Sequence, residues 1–291
     1  MQAEMKAQGL APDTNAMLEH LQAWAEPVVE TYADGLLAIR CIDPDGARPV
    51  RTRVFSLDDT GRNDAVEYAT RQNISRRNVY IGLNPRKAGT DANSAASAEG
   101  VEAAFWATLD CDTKEASQEL CRFIDDCEQP APAFLVLTGT APHPRFHAWW
   151  PLEEPIRNDA TREAVMRGLA GRFGGDAISD APRILRLAGS VSYPSERKIA
   201  RGYVPEIVQL TIDPIGEAMP VSVEELRAAF PAPSTEPKPT KPAPANRNGG
   251  EIPALAKLSD EELFEMFANL PNDADRDDHS VGQWLEWRGT R

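Results

Sequence analysis

Residues 104–112 read "AFWATLDCD". An apolar run closing on two acids one residue apart spells a buried strand that ends in charge. On a strand, neighbouring side chains point to opposite faces and residues two apart share one. Asp110 and Asp112 therefore project together, while Cys111 turns to the other side with Ala107 and Leu109. The next stretch, "TKEASQELCRFIDDC" (113–127), changes period. Ala116, Leu120, Phe123, Ile124 and Cys127 fall on one stripe, which predicts an amphipathic helix with Thr113 as its N-cap.

Working outward, the same alternation of periods recurs. "MLEHLQAWAEP" (17–27) predicts a helix stopped by Pro27. "GLLAIRCIDPDG" (35–46) predicts a strand closed by a turn at Asp45-Gly46, with "VRTRVFSL" (50–57) as its partner. A helix at "DAVEYATRQN" (64–73) precedes a strand at "RNVYIGLNPR" (77–86). Two further strands, "AFLVLTG" (133–139) and "RFHAWWPL" (145–152), meet at the turn "TAPHP". "DATREAVMRGLAGRF" (159–173) predicts a helix ending at Gly174-Gly175, and "IVQLTID" (207–213) a late strand. "SVEELRAAF" (222–230) carries a capping box of Ser222 and Glu225. Paired strands among interleaved helices predict an α+β fold: a mainly antiparallel sheet flanked by helices.

With 291 residues, 42% of them hydrophobic, the chain can bury a sizeable core. The segment 231–250 holds six prolines and no large apolar residue, so it reads as an extended linker. This predicts a main domain over 1–230, the Pro-rich linker 231–250, and a small helical C-terminal segment over 251–291. That last segment has Ser259 capping toward Glu262, then Trp284 and Trp287. No apolar run approaches the ~18 residues of a membrane span, and the N-terminus lacks the apolar core of a secretory signal. Four cysteines without a CxxC pair predict reduced thiols, hence a cytoplasmic protein with no membrane partner.

The formal net charge is −14, which by itself argues against nucleic acid. Charge is unevenly spread, however. Residues 183–201 hold Arg183, Arg186, Arg197, Lys198 and Arg201 against the single acid Glu196.

Three elements carry chemistry. Asp110 and Asp112 present hard oxygens suited to Mg²⁺ or Mn²⁺; alone, such a pair is also how a strand runs into a polar turn. His147 shares a strand face with Arg145 and Trp149. As one of four histidines it suits either a structural role or phosphate contact. His143 and His147 do not make a zinc pair, since they span a hairpin and no nearby cysteine completes the set. In "GGDAISDAPRILRLAGSVSYPSERK", Asp176 and Asp180 precede Arg183, Arg186 and Lys198. This fits a site for a cation and an anion, or equally a capped turn with solvated arginines.

Taken in order, "LDCD", "RFHAWW" and "SDAPRILRLAGS" with a downstream lysine resemble the motifs of the archaeo-eukaryotic primase superfamily. The likeness is to the catalytic domains of plasmid RepB-type and phage primase-polymerases, over roughly residues 20–215. "VYIGLNPRK" matches a segment common upstream of the first motif. Ala188 stands where the family usually has proline, and "SVSYPS" replaces a usual asparagine. The resemblance implies an RRM-like palm. It implies Asp110, Asp112 and Asp180 as catalytic and metal-binding residues, with Asp176 as the alternative third acid. His147 would contact nucleotide phosphates, and Arg183, Arg186 and Lys198 phosphates or template. The implied cofactor is Mg²⁺ or Mn²⁺. The implied partners are a single-stranded DNA template, nucleoside triphosphates and a replicative helicase, to which the C-terminal segment would relate. The implied activity is that of a DNA primase and polymerase. Two other readings stand beside it: a non-catalytic replication initiator, and a metal-dependent nuclease or relaxase of a mobile element. A relaxase lacks its usual H-x-H here, although Tyr193 and Tyr203 are present. No G-x-x-x-x-G-K-[ST] loop exists, so no unwinding activity is expected.

Overall fold

The computed structural model of the protein describes residues 10–176, 178–216 and 218–233. Most of the Pro-rich linker and the expected C-terminal helical segment lie outside the described residues. Two four-stranded sheets form, every ladder antiparallel. The first has the order β2-β1-β3-β7, from β1 (Leu36–Ile42), β2 (Arg51–Ser56), β3 (Asn78–Gly82) and β7 (Ile184–Arg186). The second has the order β10-β5-β6-β4, from β4 (Ala104–Cys111), β5 (Phe134–Gly139), β6 (Arg145–Ile156) and β10 (Gln209–Ile212). Two short strands, β8 (Val191–Ser192) and β9 (Glu206–Ile207), pair with each other. The helices are α1 (Thr14–Val29), α2 (Asp59–Ile74), α3 (Lys114–Asp125), α4 (Asp159–Phe173), α5 (Glu196–Ala200) and α6 (Val223–Ala229). Among the described residues no helix is long and apolar enough to cross a membrane.

The α+β class holds, with the strands divided between two sheets rather than laid in one. Residues of α1 explain the division. Met17, Leu21, Trp24 and Val28 are buried in one cluster with Leu37, Ile39 and Ile81 of the first sheet and Trp106, Phe134, Val136 and Trp149 of the second. The helix is thus a wedge shared by both sheets. The other face of the second sheet packs Ala107, Leu109 and Cys111 against α3, α4 and α6, through Leu120, Phe123, Met166, Phe173 and Leu226. Strand β4 therefore buries both faces, and the expected turning of Cys111 into the core is seen.

Two expectations are corrected. Pro27 does not stop α1, which runs to Val29 with Pro27 inside its last turn. Proline removes one hydrogen bond to the preceding turn, but Trp24 and Val28 on either side of it are fully buried, and their packing carries the helix past it. The late strand "IVQLTID" is split at Val208. Its side chain is buried, and its backbone exchanges hydrogen bonds with Gly189 and Ser190 instead of with β5.

Indole N–H groups pin the wedge. Trp24 donates to the Leu83 carbonyl just past β3 (3.0 Å), and Trp106 on β4 donates to the Trp24 carbonyl (3.1 Å). Replacing Trp106 by Phe removes a buried donor and part of the ring. A loss of about 1–3 kcal/mol in unfolding free energy is expected from urea titration; a loss below about 0.5 kcal/mol would show that the tie is not holding the sheets.

Candidate active site

The acid end of β4 lies beside β6, where Asp110 is in register with His147 and Thr108 with Trp149. His147 Nε2 is 3.7 Å from Asp110 Oδ1. Burial pushes the His147 pKa down to about 4, so at neutral pH the imidazole in this contact is neutral. Asp112 is exposed just beyond the strand. Another acid follows α4. After the left-handed cap at Gly174 (φ 71°), the chain passes so close to β4 that a Cβ on Gly175 would lie 2.6 Å from the Asp110 carbonyl oxygen. Only glycine fits that approach. Asp176 then donates its N–H to the Asp110 carbonyl (2.9 Å) in an antiparallel bridge.

The result is a crowd of carboxylates. Burial raises the Asp110 pKa well above the usual carboxylate value, and Asp112 and then Asp176 push it the same way; Arg183 and Lys198 oppose them in part. Asp110 Oδ1 is out of reach of solvent and has no hydrogen-bond partner in the protein. Asp180 sits elsewhere. It is exposed and accepts a hydrogen bond from Arg183 Nε (2.8 Å), an ion pair across one turn. Geometry thus brings Asp176 alongside Asp110, while Asp180 pairs with an arginine. Among the described residues no three His, Cys, Asp or Glu side chains already close into an ion-sized cage; the carboxylates are neighbours on one edge.

Cations approach that edge from three directions. Arg183 rides on a loop held from below by the "LNPR" segment: Asn84 Nδ2 donates to the Ala181 carbonyl (2.9 Å) and Arg86 Nη2 to that of Pro182 (3.3 Å). Arg186 on β7 donates to Asn78 Oδ1 (3.0 Å) and lies over the Tyr80 ring at 5.2 Å. Lys198 comes from α5, which Ser195 caps. Partial burial of its ammonium, then Arg186, lower the Lys198 pKa, while Asp112 acts in the opposite sense. The strand leading to α5 is anchored by two asparagines. Asn73 bonds both backbone groups of Val191, and Asn78 both those of Tyr193. The "SVSYPS" stretch is therefore firmly placed.

Sequence reading assigned no role to three residues at this edge. Arg145 is buried and donates to the Ala141 (2.7 Å) and His143 (3.1 Å) carbonyls. Tyr203 carries Arg145 on its ring at 4.4 Å, Arg201 at 5.6 Å and Lys198 at 5.7 Å. His143 Nε2 donates to the Asp112 carbonyl (2.8 Å), tying the β5–β6 hairpin to the acid pair. Arg145 carried a weak signal, as the neighbour of His147 on one strand face. The ring contacts join residues up to 58 positions apart, which no local pattern spells.

No family model matches the sequence, and no curated protein matches it. Solved structures do align. The AEP domain of the cyanophage S-2L primase-polymerase covers 76% of this chain and 100% of its own, at 16% identity and a TM-score of 0.52. The primase RepB′ covers 69% of this chain and 58% of its own, at 17% identity and a TM-score of 0.45. The catalytic domain of RepB′ in complex with initiator DNA covers 69% and 87%, at 18% identity and a TM-score of 0.44. The likeness to the cyanophage domain is one of fold.

Carboxylate crowding has a measurable cost. Because the folded-state pKa of Asp110 is raised, its contribution to stability is present below the ordinary carboxylate pKa and is lost as pH rises through the raised value. Asp110→Asn keeps the shape and removes the charge. In chelator at pH 8 the variant is expected to be more stable than wild type by about 0.5–2 kcal/mol, with the gap narrowing toward pH 4. Urea midpoints that coincide at both pH values would show that the acids do not repel one another.

Proposed function

We propose that this chain, whose fold is that of the archaeo-eukaryotic primase catalytic domain, is a template-directed nucleotidyltransferase that makes and extends primers on single-stranded DNA. The observation that carries the reading is a line of acids, Asp110, Asp112 and Asp176, facing a bank of cations, Lys198, Arg186 and Arg145, across one edge of the second sheet. A triphosphate with its divalent ion needs both.

Mg²⁺ or Mn²⁺ fits the donor set. The three acids offer hard oxygens, Asp110 Oδ1 has no partner in the protein, and the burial and then the neighbouring acids that raise the Asp110 pKa are what a dication offsets. Asp110, Asp112 and Asp176 would hold the ion or ions, with Asp180 kept by Arg183. When bound, such ions neutralise the triphosphate and lower the pKa of an attacking hydroxyl. Lys198 and Arg186 take the phosphate oxygens, the first as a point charge and the second as a fork already oriented by Asn78. His147, neutral and buried, offers a hydrogen bond to phosphate without adding a charge that would repel the cations beside it. Arg183 approaches the same edge from its loop. Tyr203, with its cluster of cations, suits the single-stranded template, where a ring and a positive surface serve stacking and backbone contact together.

The test is nucleotide incorporation on single-stranded DNA with Mg²⁺ or Mn²⁺, from nucleoside triphosphates alone and from a pre-annealed primer. Removing a second-sphere partner of a metal site typically costs 10–100-fold. Asp110→Ala, Asp112→Ala and Asp176→Ala should each lose about 100-fold or more, and Asp180→Ala much less. Mn²⁺ should raise the melting temperature of wild type but not of Asp110→Ala/Asp112→Ala. Full activity in the double variant would sink the site. DNA binding without incorporation by wild type would point to the initiator instead.

A further inference from the structure

Glu206 lies on β9, opposite Ser192 of β8. The chain of β8 is held from the first sheet side, where Asn73 bonds Val191 and Asn78 bonds Tyr193. Helix α5, with Lys198, lies in the connection between these two short strands. The Glu206 side chain reaches the other way, to the β5–β6 hairpin of the second sheet. It accepts the Thr140 N–H (3.0 Å), the Ala141 N–H (3.3 Å) and the Thr140 hydroxyl. Arg145 Nη2 stands 3.9 Å from the same carboxylate. Space there is short: a Cβ on Gly139 would lie 2.1 Å from Arg145 Nη2 and 2.8 Å from Glu206 Oε2. A charged acceptor that gathers three donors beside a guanidinium is a strong tie, and this one joins two parts of the fold.

The tied hairpin ends at the acids. The β4–β6 ladder stops at Cys111, one residue short of Asp112. What meets Asp112 beyond the ladder is the hairpin turn, from which His143 Nε2 donates to the Asp112 carbonyl (2.8 Å). The turn is held on both sides. On the β6 side Ser117, in the first turn of α3, donates its hydroxyl to the Pro144 carbonyl (2.7 Å). On the β5 side Glu206 takes the donors of Thr140 and Ala141. Arg145 closes the turn from within, through the Ala141 (2.7 Å) and His143 (3.1 Å) carbonyls. The path from Glu206 to Asp112 therefore runs through hydrogen bonds at every step.

We propose that Glu206 is a positioning residue for Asp112: by tying the hairpin turn 139–144 to the strands that flank Lys198, it fixes where the acid edge stands relative to the cations. Groups that orient a ligating side chain matter to a metal site although they never touch the ion. Glu206 would act one link further out, through the turn and His143. The value of that placement to a metal rests on the function proposed above; the tie between β9 and the hairpin does not, and the two are measured separately.

Two measurements without turnover test it. The first is amide exchange by NMR. In wild type the Thr140 and Ala141 N–H groups should be protected; in Glu206→Ala they should exchange about 10-fold faster or more, while α1 keeps its rates. The second is Mn²⁺ affinity, read from the electron-spin signal of the free ion well below the melting temperature. Loss of a partner that orients a metal ligand costs about 10–100-fold in affinity, so Glu206→Ala should lose about 10-fold. Glu206→Gln keeps an oxygen for Thr140 and should lose only about 3-fold, on the same scale. His143→Leu cuts the last link, and should weaken Mn²⁺ binding as Glu206→Ala does without speeding exchange at Thr140 and Ala141. Unprotected Thr140 and Ala141 amides in wild type would overturn the proposal, as would wild-type Mn²⁺ affinity in Glu206→Ala or in His143→Leu. Should Glu206→Ala not fold, Glu206→Gln decides: affinity equal to wild type overturns the assignment, and the smaller loss upholds it. A wild type that binds no Mn²⁺ would sink the metal reading of the acids; faster exchange in Glu206→Ala would still uphold the tie, and equal exchange would overturn it.

Discussion

The structure hangs on a helix caught between two sheets and held by two indole N–H groups. Trp106 reaches from β4 to the Trp24 carbonyl, and Trp24 reaches on to Leu83 beyond β3. Each bond is buried among rings that meet edge to face, Trp106 with Phe134 and with Trp149, a geometry favoured by the aromatic quadrupole. Because the tie crosses from one sheet to the other, it fixes the place where they part. The acids of β4 and the cations carried by β7 and α5 stand at that parting, and their opposition across it follows from the wedge.

That placement works against stability. A half-buried Asp110 beside Asp112 and Asp176 is a costly arrangement for a protein with nothing to bind there. The cations are equally crowded: Arg186 and Arg145 both oppose the charge on Lys198. For Asp110 and for Lys198, burial and then like charge outweigh the opposite charges nearby. Such paired strain is common where residues serve a ligand rather than the fold. A triphosphate with its dication would cancel both excesses together.

Much of this was legible in the sequence, and the failures have physical reasons. Alternation on a strand put Asp110 and Asp112 on one face and Cys111 on the other, because a period of two is local and rigid. Thr113 and Ser222 read correctly as caps, since capping needs only the next three residues. Asp176 and Asp180 did not separate, because what distinguishes them is a close pass of Gly175 over β4, a contact between residues 65 positions apart in the chain. The ion pair that occupies Asp180 is local, but a spacing of three residues between Asp and Arg in a loop has no single geometry. Pro27 misled because local propensity stood against the burial of Trp24 and Val28, and burial outweighs it. Glu206 carried no signal at all: one acid on a short strand looks like any other until Thr140 and Ala141 are seen to donate to it.

The "LNPR" segment shows how a recognisable motif can serve a site without entering it. Arg86 is almost fully buried with no carboxylate among its hydrogen-bond partners. Its donors go to the carbonyls of Asn84 (2.8 Å), Ala95 (2.6 Å) and Pro182 (3.3 Å). Burial and the neighbouring Arg40 lower its pKa to about 10, so it remains charged. A guanidinium is suited to this because its donors radiate in a fixed plane and can join three chain segments at once; lysine could match the charge but not the fork. With Asn84 holding Ala181, the segment clamps the turn from which Arg183 projects. The same logic applies to Asn73 and Asn78, which spend their amides on the strand that delivers Lys198. In this fold the buried polar side chains set the backbone that holds the exposed charges at one edge.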